Sequence, residues 1–274
     1  MRISTNTNSM LAQRNFQKVS NEQKTAQSKM ASGDRILSAA VDPAGLAISE
    51  TMSAKLRSQS QAKRNINDGV SLLQIAEGSL SDLSNLGIRL RQLAIQASTD
   101  TVDDNSRQLV DKEFRSLKEE VKRLTASSSF NGNPILSGES QYDLQVGINN
   151  DAFQDRVNYD LSKILDAKSN FGLDAIDLTT KLSSQKSIDT VDKMMSQVGL
   201  SRAKIGSSQN RLESMVSNLD VTHENLSSAK SLIRDADIAK ESAISVKSKI
   251  QKEATVMMMQ TVNASPSKVL KLLE

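Results

Sequence analysis

Cysteine and tryptophan are absent from this sequence, and its 274 residues include only 3 prolines, 11 glycines, 2 tyrosines and 5 phenylalanines. Without cysteine there is no disulfide and no thiolate metal site, and no thiol that could pair wrongly in any redox compartment. Glycine and proline together fall below half of the roughly 12% found in an average chain. So few turn-formers exclude an immunoglobulin-like sandwich or an antiparallel barrel and predict long uninterrupted helices. Scarce aromatics argue for a thin, elongated core over a large compact one. A long apolar run is missing as well: Val256-Met257-Met258-Met259 is far short of the ~18–20 residues that span a bilayer. The opening Met1-Arg2-Ile3-Ser4-Thr5-Asn6 lacks the apolar stretch of a signal peptide. Neither membrane insertion nor export by the ordinary secretory signal is expected.

Charge is nearly balanced, with 35 basic and 32 acidic residues for a net of +3. No basic stripe interleaved with aromatics is present, which argues against a nucleic-acid partner. The balance is uneven along the chain. Residues 125–180 hold eight acids against Arg156, Lys163 and Lys168, so the middle and the ends are expected to face different surroundings.

What the sequence does have is helical periodicity, punctuated by Pro43, Pro134 and Pro266, each read as a boundary. Residues 4–37 carry a loose pattern (Met10, Phe16, Val19, Met30, Ile36) too sparse to hold a fold alone. Gly33-Asp34 breaks it. Asp42 then stands as an N-cap with Pro43 at the first helical position. From Ala44 to about Ser98, Ile66, Leu73 and Leu80 recur every seven residues, as do Ala76, Leu83, Leu90 and Ala97. Such a heptad marks a long helix packed on partner helices; about 55 residues would extend roughly 80 Å. After the turn at Asp103-Asp104, a second helix reads Val110, Phe114, Leu117, Val121, Leu124. Residues 142–146 and 156–160 alternate in the strand sense and predict a small hairpin patch between 130 and 180. A returning helix from about Ser183 carries Leu212, Leu219, Leu226 and Ile233 at heptad spacing. The tail, 235–274, is amphipathic but soft, and its methionines suit a segment buried by something else. The two under-stabilised ends are expected to pair with each other and to be completed by neighbouring copies. The fold class is therefore mainly α: an elongated antiparallel helical bundle or coiled-coil rod with a small β-hairpin patch.

This plan resembles bacterial flagellin. The likeness is carried by the opening hexapeptide with Ala12-Gln13-Arg14-Asn15, by Ala44-Gly45-Leu46-Ala47-Ile48-Ser49, and by Asn67-Asp68-Gly69-Val70-Ser71-Leu72. It continues through Ala76-Glu77-Gly78-Ser79-Leu80, Arg91-Gln92-Leu93-Ala94-Ile95-Gln96 and Phe130-Asn131-Gly132. Near the C-terminus it rests on Asn210-Arg211-Leu212-Glu213, Asp235-Ala236-Asp237 and Val269-Leu270-Lys271-Leu272-Leu273. The resemblance implies a structural subunit of the motility filament, secreted through the flagellar type III channel. It also implies a layout of 1–43 as an N-terminal inner-tube helix, 44–180 as rod helices with the hairpin patch, 181–234 as the returning rod helix, and 235–274 as the C-terminal inner-tube helix. Implied partners are other copies of the chain, other flagellins where they coexist, an export chaperone at the C-terminal segment, the export apparatus, and the cap and hook-junction proteins. Polymerisation residues expected in the inner tube are Met10, Phe16, Val19, Ile250, Val269, Leu270, Leu272 and Leu273. Arg89, Leu93 and Glu113 match positions that stimulatory flagellins present to a Toll-like receptor, although Ile88 and Gln92 replace the Gln and Glu of those members. Other departures are Pro43 in place of the usual Ala and the run 257–263 in place of an Ala- and Gln-rich stretch. A hook–filament junction adaptor is the alternative function, discriminated by whether pure protein forms long filaments.

No catalytic constellation, cofactor site or metal site emerges. His223 is the sole histidine and has no second His or Cys to share a metal with; it reads as a polar flank. Asp103-Asp104 reads as a capping pair, and Glu119-Glu120 with Lys122-Arg123 as a solvated helix face. Gly45 and Gly69 form no phosphate loop. Some flagellins carry inserted hydrolase domains, but here the chain passes almost directly from 180 into the returning helix. The Met257–Met259 run reads either as a filler for a chaperone groove or as a buried seam of an assembled tube.

Overall fold

The computed structural model describes residues 6–136, 141–160 and 167–270. The chain divides into a terminal unit, Met1–Leu56 with Glu224–Glu274, and a central unit, Arg57–His223. Five helices dominate: α1 (Thr7–Ser32), α2 (Pro43–Ala97), α3 (Asp104–Ser127), α4 (Lys181–Arg234) and α5 (Ile238–Leu270). Between α3 and α4 lie β1 (Ser129–Phe130), β2 (Asn133–Pro134), β3 (Gln141–Gln145), β4 (Arg156–Asp160) and a 3-10 helix (Ala167–Ala175).

In the central unit the heptads of α2 behave as expected. From Gln59 to Ala97 the buried positions advance by alternating steps of three and four residues. Ile66, Leu73, Ala76, Leu80, Leu83, Leu90 and Ala97 are all fully buried. Phe114 and Val121 bring α3 into the same core, with Val110, Leu117 and Leu124 packed at its edge. The seam of α4 differs from expectation. Its buried line is Ser184, Ser187, Val191, Met194, Val198, Ser201, Ile205 and Leu212, whereas Leu219, Leu226 and Ile233 are only half-buried. Serines hide this line in the sequence. They are tolerated inside because each hydroxyl donates to a nearby carbonyl: Ser184 to Thr180 at 2.9 Å, Ser187 to Asp177 at 3.0 Å and Ser201 to Gln197 at 2.9 Å.

The β elements pair as two antiparallel ribbons. Asn131 and Gly132 both have positive φ (50° and 81°) between β1 and β2, the two-residue turn that Asn-Gly favours. Tyr142 faces Tyr159 and Leu144 faces Val157 across β3 and β4, and this face packs on the core. Gly69 makes that approach possible, since a Cβ there would sit 2.3 Å from Leu144 Cδ1. Asn65 ties the ribbon to α2 by donating to the Gln145 carbonyl at 3.1 Å.

Two buried polar residues fasten the ends of these helices. Arg107 donates to the carbonyls of Ala97, Thr99 and Val102 at 2.9, 3.2 and 3.0 Å. It thus satisfies the C-terminal end of α2 and closes the turn into α3. Asp111 accepts from the Leu178 N–H at 2.8 Å and from Arg115 at 2.7 Å, holding the lead-in to α4.

In the terminal unit, α1 and α5 form an antiparallel pair: Lys29 meets Glu241 at 3.0 Å, Lys252 Nζ lies 5.7 Å from the centre of the Phe16 ring, and Ser9 donates to Asn263 at 2.9 Å. At the end nearest Gly33, Arg234 grips Asp34 through Nε and Nη2 at 3.0 and 3.1 Å. Gly33, with φ 75°, caps α1. At the other end, the expected boundary at Pro266 is not one, because α5 continues to Leu270. Proline deprives the carbonyl four residues earlier, that of Val262, of its helical donor. Asn6 replaces that donor: its Nδ2 donates to Val262 O at 3.3 Å, while its Oδ1 caps α1 by accepting from Ser9 N–H at 3.1 Å.

Candidate assembly surface on the terminal helices

The α1–α5 pair is thinly packed. Among the described residues of these two helices only Ala26, Glu241 and Ser248 are fully buried. The half-buried line of α1 runs through Ser9, Ala12, Phe16, Val19, Gln23, Ala26 and Met30, again at steps of three and four. The answering line of α5 is Glu241, Ser245, Ser248, Lys252, Thr255, Met259 and Val262. The α5 side of that seam is largely polar, with only Met259 and Val262 apolar.

Several apolar residues of α5 lie on its open side, while Ile244, Met259 and Val262 are half-buried. Ala239, Ala243, Val246 and Ile250 follow one another at steps of four, three and four and line a shallow groove with Ser242, Lys247 and Gln251. Met257 continues the strip one heptad beyond Ile250, and Met258 stands beside it; these two are 68% and 67% exposed. Apolar side chains thus recur at heptad spacing on the exposed face of a helix whose other face is paired with α1, the spacing by which coiled-coil helices pack. Met10 and Leu11 of α1 are likewise exposed.

The expected polymerisation residues therefore divide. Met10 and Ile250 are exposed, whereas Phe16 and Val19 are half-buried on the seam between α1 and α5 and serve the chain's own pairing. Val269 and Leu270 enter only as helix backbone, and Leu272 and Leu273 lie outside the described residues. Met257, read from the sequence only within the Met257–Met259 run, and Val246, not singled out at all, both stand on the outward face. Their signal was the spacing from Ile250, but it could not be read without knowing that the opposite face of α5 is paired.

On the central unit, Arg89 Nε donates to Glu113 at 3.0 Å and both side chains are about half exposed. Leu93 does not share their surface, being only 2% exposed. An i, i+4 step rotates 40° past a full turn, and here that rotation carries Leu93 into the buried line of Leu90 and Ala94. The patch contracts to the ion pair. Asp103 occupies the N-cap position of α3 with Asp104 in its first turn. At the same corner, Lys181 bonds Asp100 at 2.7 Å and holds that carboxyl below the usual carboxylate range. His223 is half-buried on α4. Among the described residues no three His, Asp or Glu side chains gather as a metal site, and no helix is long and apolar enough to cross a membrane.

Comparison with known proteins places these surfaces in context. The bacterial flagellin N-terminal helical region matches residues 3–141, and the bacterial flagellin C-terminal helical region matches residues 188–273. A flagellin of Halalkalibacterium halodurans is 38% identical over 274 residues, the full length of both chains. The crystal structure of Bacillus cereus flagellin aligns with a TM-score of 0.51 at 28% identity, covering 57% of this chain and 88% of that one. A putative flagellar hook-associated protein from Vibrio parahaemolyticus aligns with a TM-score of 0.60 at 15% identity, over 70% of this chain and 99% of the other; that likeness concerns the fold alone.

Proposed function

The chain belongs to the bacterial flagellin family and is a structural subunit of the flagellar filament, and on that premise we propose that the outward strip of α5 is the surface on which neighbouring copies pack. The observation that carries this reading is the reversal of α5: its largely polar line faces α1, and its apolar line, Ala243–Val246–Ile250–Met257, faces solvent. Contacts of this kind join one face of a copy to a different face of the next, and a repeat whose rotation does not close yields a helical polymer. In this reading 1–43 and 235–274 form the inner tube and 44–180 and 181–234 the outer one. Secretion to the cell exterior through the flagellar export apparatus, a chaperone covering the C-terminal segment beforehand, and contacts with the cap and hook-junction proteins belong to the same proposal.

The test is hydrogen exchange on monomer and filament. Three buried side chains hold α1 and α5 weakly against the entropy of ordering. Amides of residues 1–40 and 235–274 are therefore expected to exchange rapidly in the monomer and slowly in the filament. Exchange of residues 235–274 as fast in the filament as in the monomer overturns the proposal.

We also infer that Arg89 and Glu113 are the residues by which the monomer would engage the flagellin-sensing receptor. The pair is exposed, and such ion pairs contribute about 0–1 kcal/mol to stability, so Arg89→Ala leaves folding intact. It is expected to weaken the response in a receptor reporter assay on monomer by at least about tenfold, the loss of one charge-assisted hydrogen bond. A response equal to wild type in both Arg89→Ala and Glu113→Ala leaves the pair a purely structural role.

A further inference from the structure

The run Met257-Met258-Met259 is more than bulk for the strip. Among the described methionines, Met194 is fully buried and Met30, Met52, Met195, Met215 and Met259 are partly covered, while Met10, Met257 and Met258 are exposed. With no cysteine anywhere in the chain, no thiol competes for an oxidant, and exposed thioethers are the side chains most open to two-electron oxidation. Successive helical positions lie about 100° apart, so Met257 occupies the strip itself and Met258 its margin. Lys249, Lys252, Glu253 and Gln260 stand around Met257, a polar rim that keeps the sulfur hydrated in the free subunit.

We propose that Met257 and Met258 form a peroxide-sensitive modification site that decides whether a subunit can join the filament; this rests on the reading of the α5 strip as the packing surface. A sulfur lone pair attacks one oxygen of a hydroperoxide and the O–O bond breaks. One oxygen stays on sulfur as the sulfoxide, and the other leaves with the protons as water, or as an alcohol when the peroxide is organic. Sulfur loses two electrons and the peroxide gains them. The product places a strongly hydrated hydrogen-bond acceptor on an apolar seam, where burial against a neighbour costs its desolvation. In the filament the same sulfurs are covered by the adjoining copy, so the site acts on subunits before assembly and spares those already in place. A methionine sulfoxide reductase reverses it.

Purified monomer is treated with hydrogen peroxide, its sulfoxides are mapped by peptide mass spectrometry, and its addition to sheared filament seeds is timed. Sulfoxide is expected at Met257 and Met258 before Met194, with elongation slowed about tenfold or more and restored by a sulfoxide reductase. The double variant Met257→Leu/Met258→Leu keeps the volume and the apolar character; it is expected to elongate normally and to keep doing so after peroxide. Should that pair of changes disturb the helix, Met257→Ile and Met258→Ile are tested singly, with helicity checked by circular dichroism, and each is expected to relieve part of the block. Unchanged elongation by wild-type monomer carrying both sulfoxides overturns the proposal, as does equal inhibition of the double-leucine variant, which would move the effect to Met10 or elsewhere. Intact filaments discriminate the two levels of the argument. Sulfoxide forming at 257 and 258 as fast in filament as in monomer shows the strip to be uncovered and overturns the packing surface itself.

Discussion

Phe114→Ala is expected to destabilise the chain by about 3–5 kcal/mol, the range for deleting a buried aromatic ring. Phe114 is completely buried in the cluster that α2, α3 and α4 share, and the interior around it has few other aromatics with which to close a cavity. Lys118 Nζ lies 5.9 Å from the ring centre while donating to the Ile176 carbonyl at 2.7 Å. Loss of the ring therefore also loosens the segment leading into α4. Urea unfolding followed by circular dichroism measures the change, and Leu109→Ala on the same helix is the reference, because Leu109 is 66% exposed and its truncation is expected to cost less than about 0.5 kcal/mol. Equal midpoints for the two variants would mean that α3 does not turn Phe114 inward.

The second large effect is on assembly. Removing residues 266–274 is expected to give a soluble chain that forms no filaments. Val269, Leu270, Leu272 and Leu273 place four large apolar residues within five positions of the tail, and each would contribute about 1.5–3 kcal/mol on burial against a neighbour. Losing even about 4 kcal/mol raises the critical concentration roughly a thousandfold. The intramolecular pair is spared, since the contacts of α5 with α1 that involve Glu241, Lys252 and Asn263 all precede the deletion. Sedimentation across a concentration series provides the readout; pelleting at the wild-type concentration would remove this segment from the polymer contact.

The long helix α2 was legible because its inward positions carry leucine, isoleucine and alanine at an unbroken heptad spacing. The β3–β4 pairing was legible from alternation, and the Asp42-Pro43 start from its cap, where Asp42 Oδ1 accepts from the Gly45 N–H at 2.9 Å. The seam of α4 was legible only at Leu212 and, at its edge, Leu219, because serine at 184, 187 and 201 reads as solvent-facing until its donor is seen to reach a carbonyl. Arg107 and Asp111 were missed for the same reason: a charged residue on an amphipathic helix is assigned outward unless orphan backbone groups await it inside. The faces of α5 could not be assigned from periodicity, since a heptad identifies a stripe without saying which of two possible neighbours it meets.

The shared use of Asn6 also constrains how such a chain can change over generations. Ser9 N–H fixes which end of the Asn6 amide is the oxygen and so turns its nitrogen to Val262. A substitution to aspartate preserves the cap and sets a second acceptor against a carbonyl that Pro266 has already stripped of its donor. Positions 6 and 266, almost the full chain apart, are therefore not free to drift independently. If Pro266 is replaced first, the returning N–H satisfies Val262 and position 6 can accept any capping residue; in the opposite order, the intermediate carries an unsatisfied carbonyl. The order of two substitutions, more than either one, decides which descendants remain accessible.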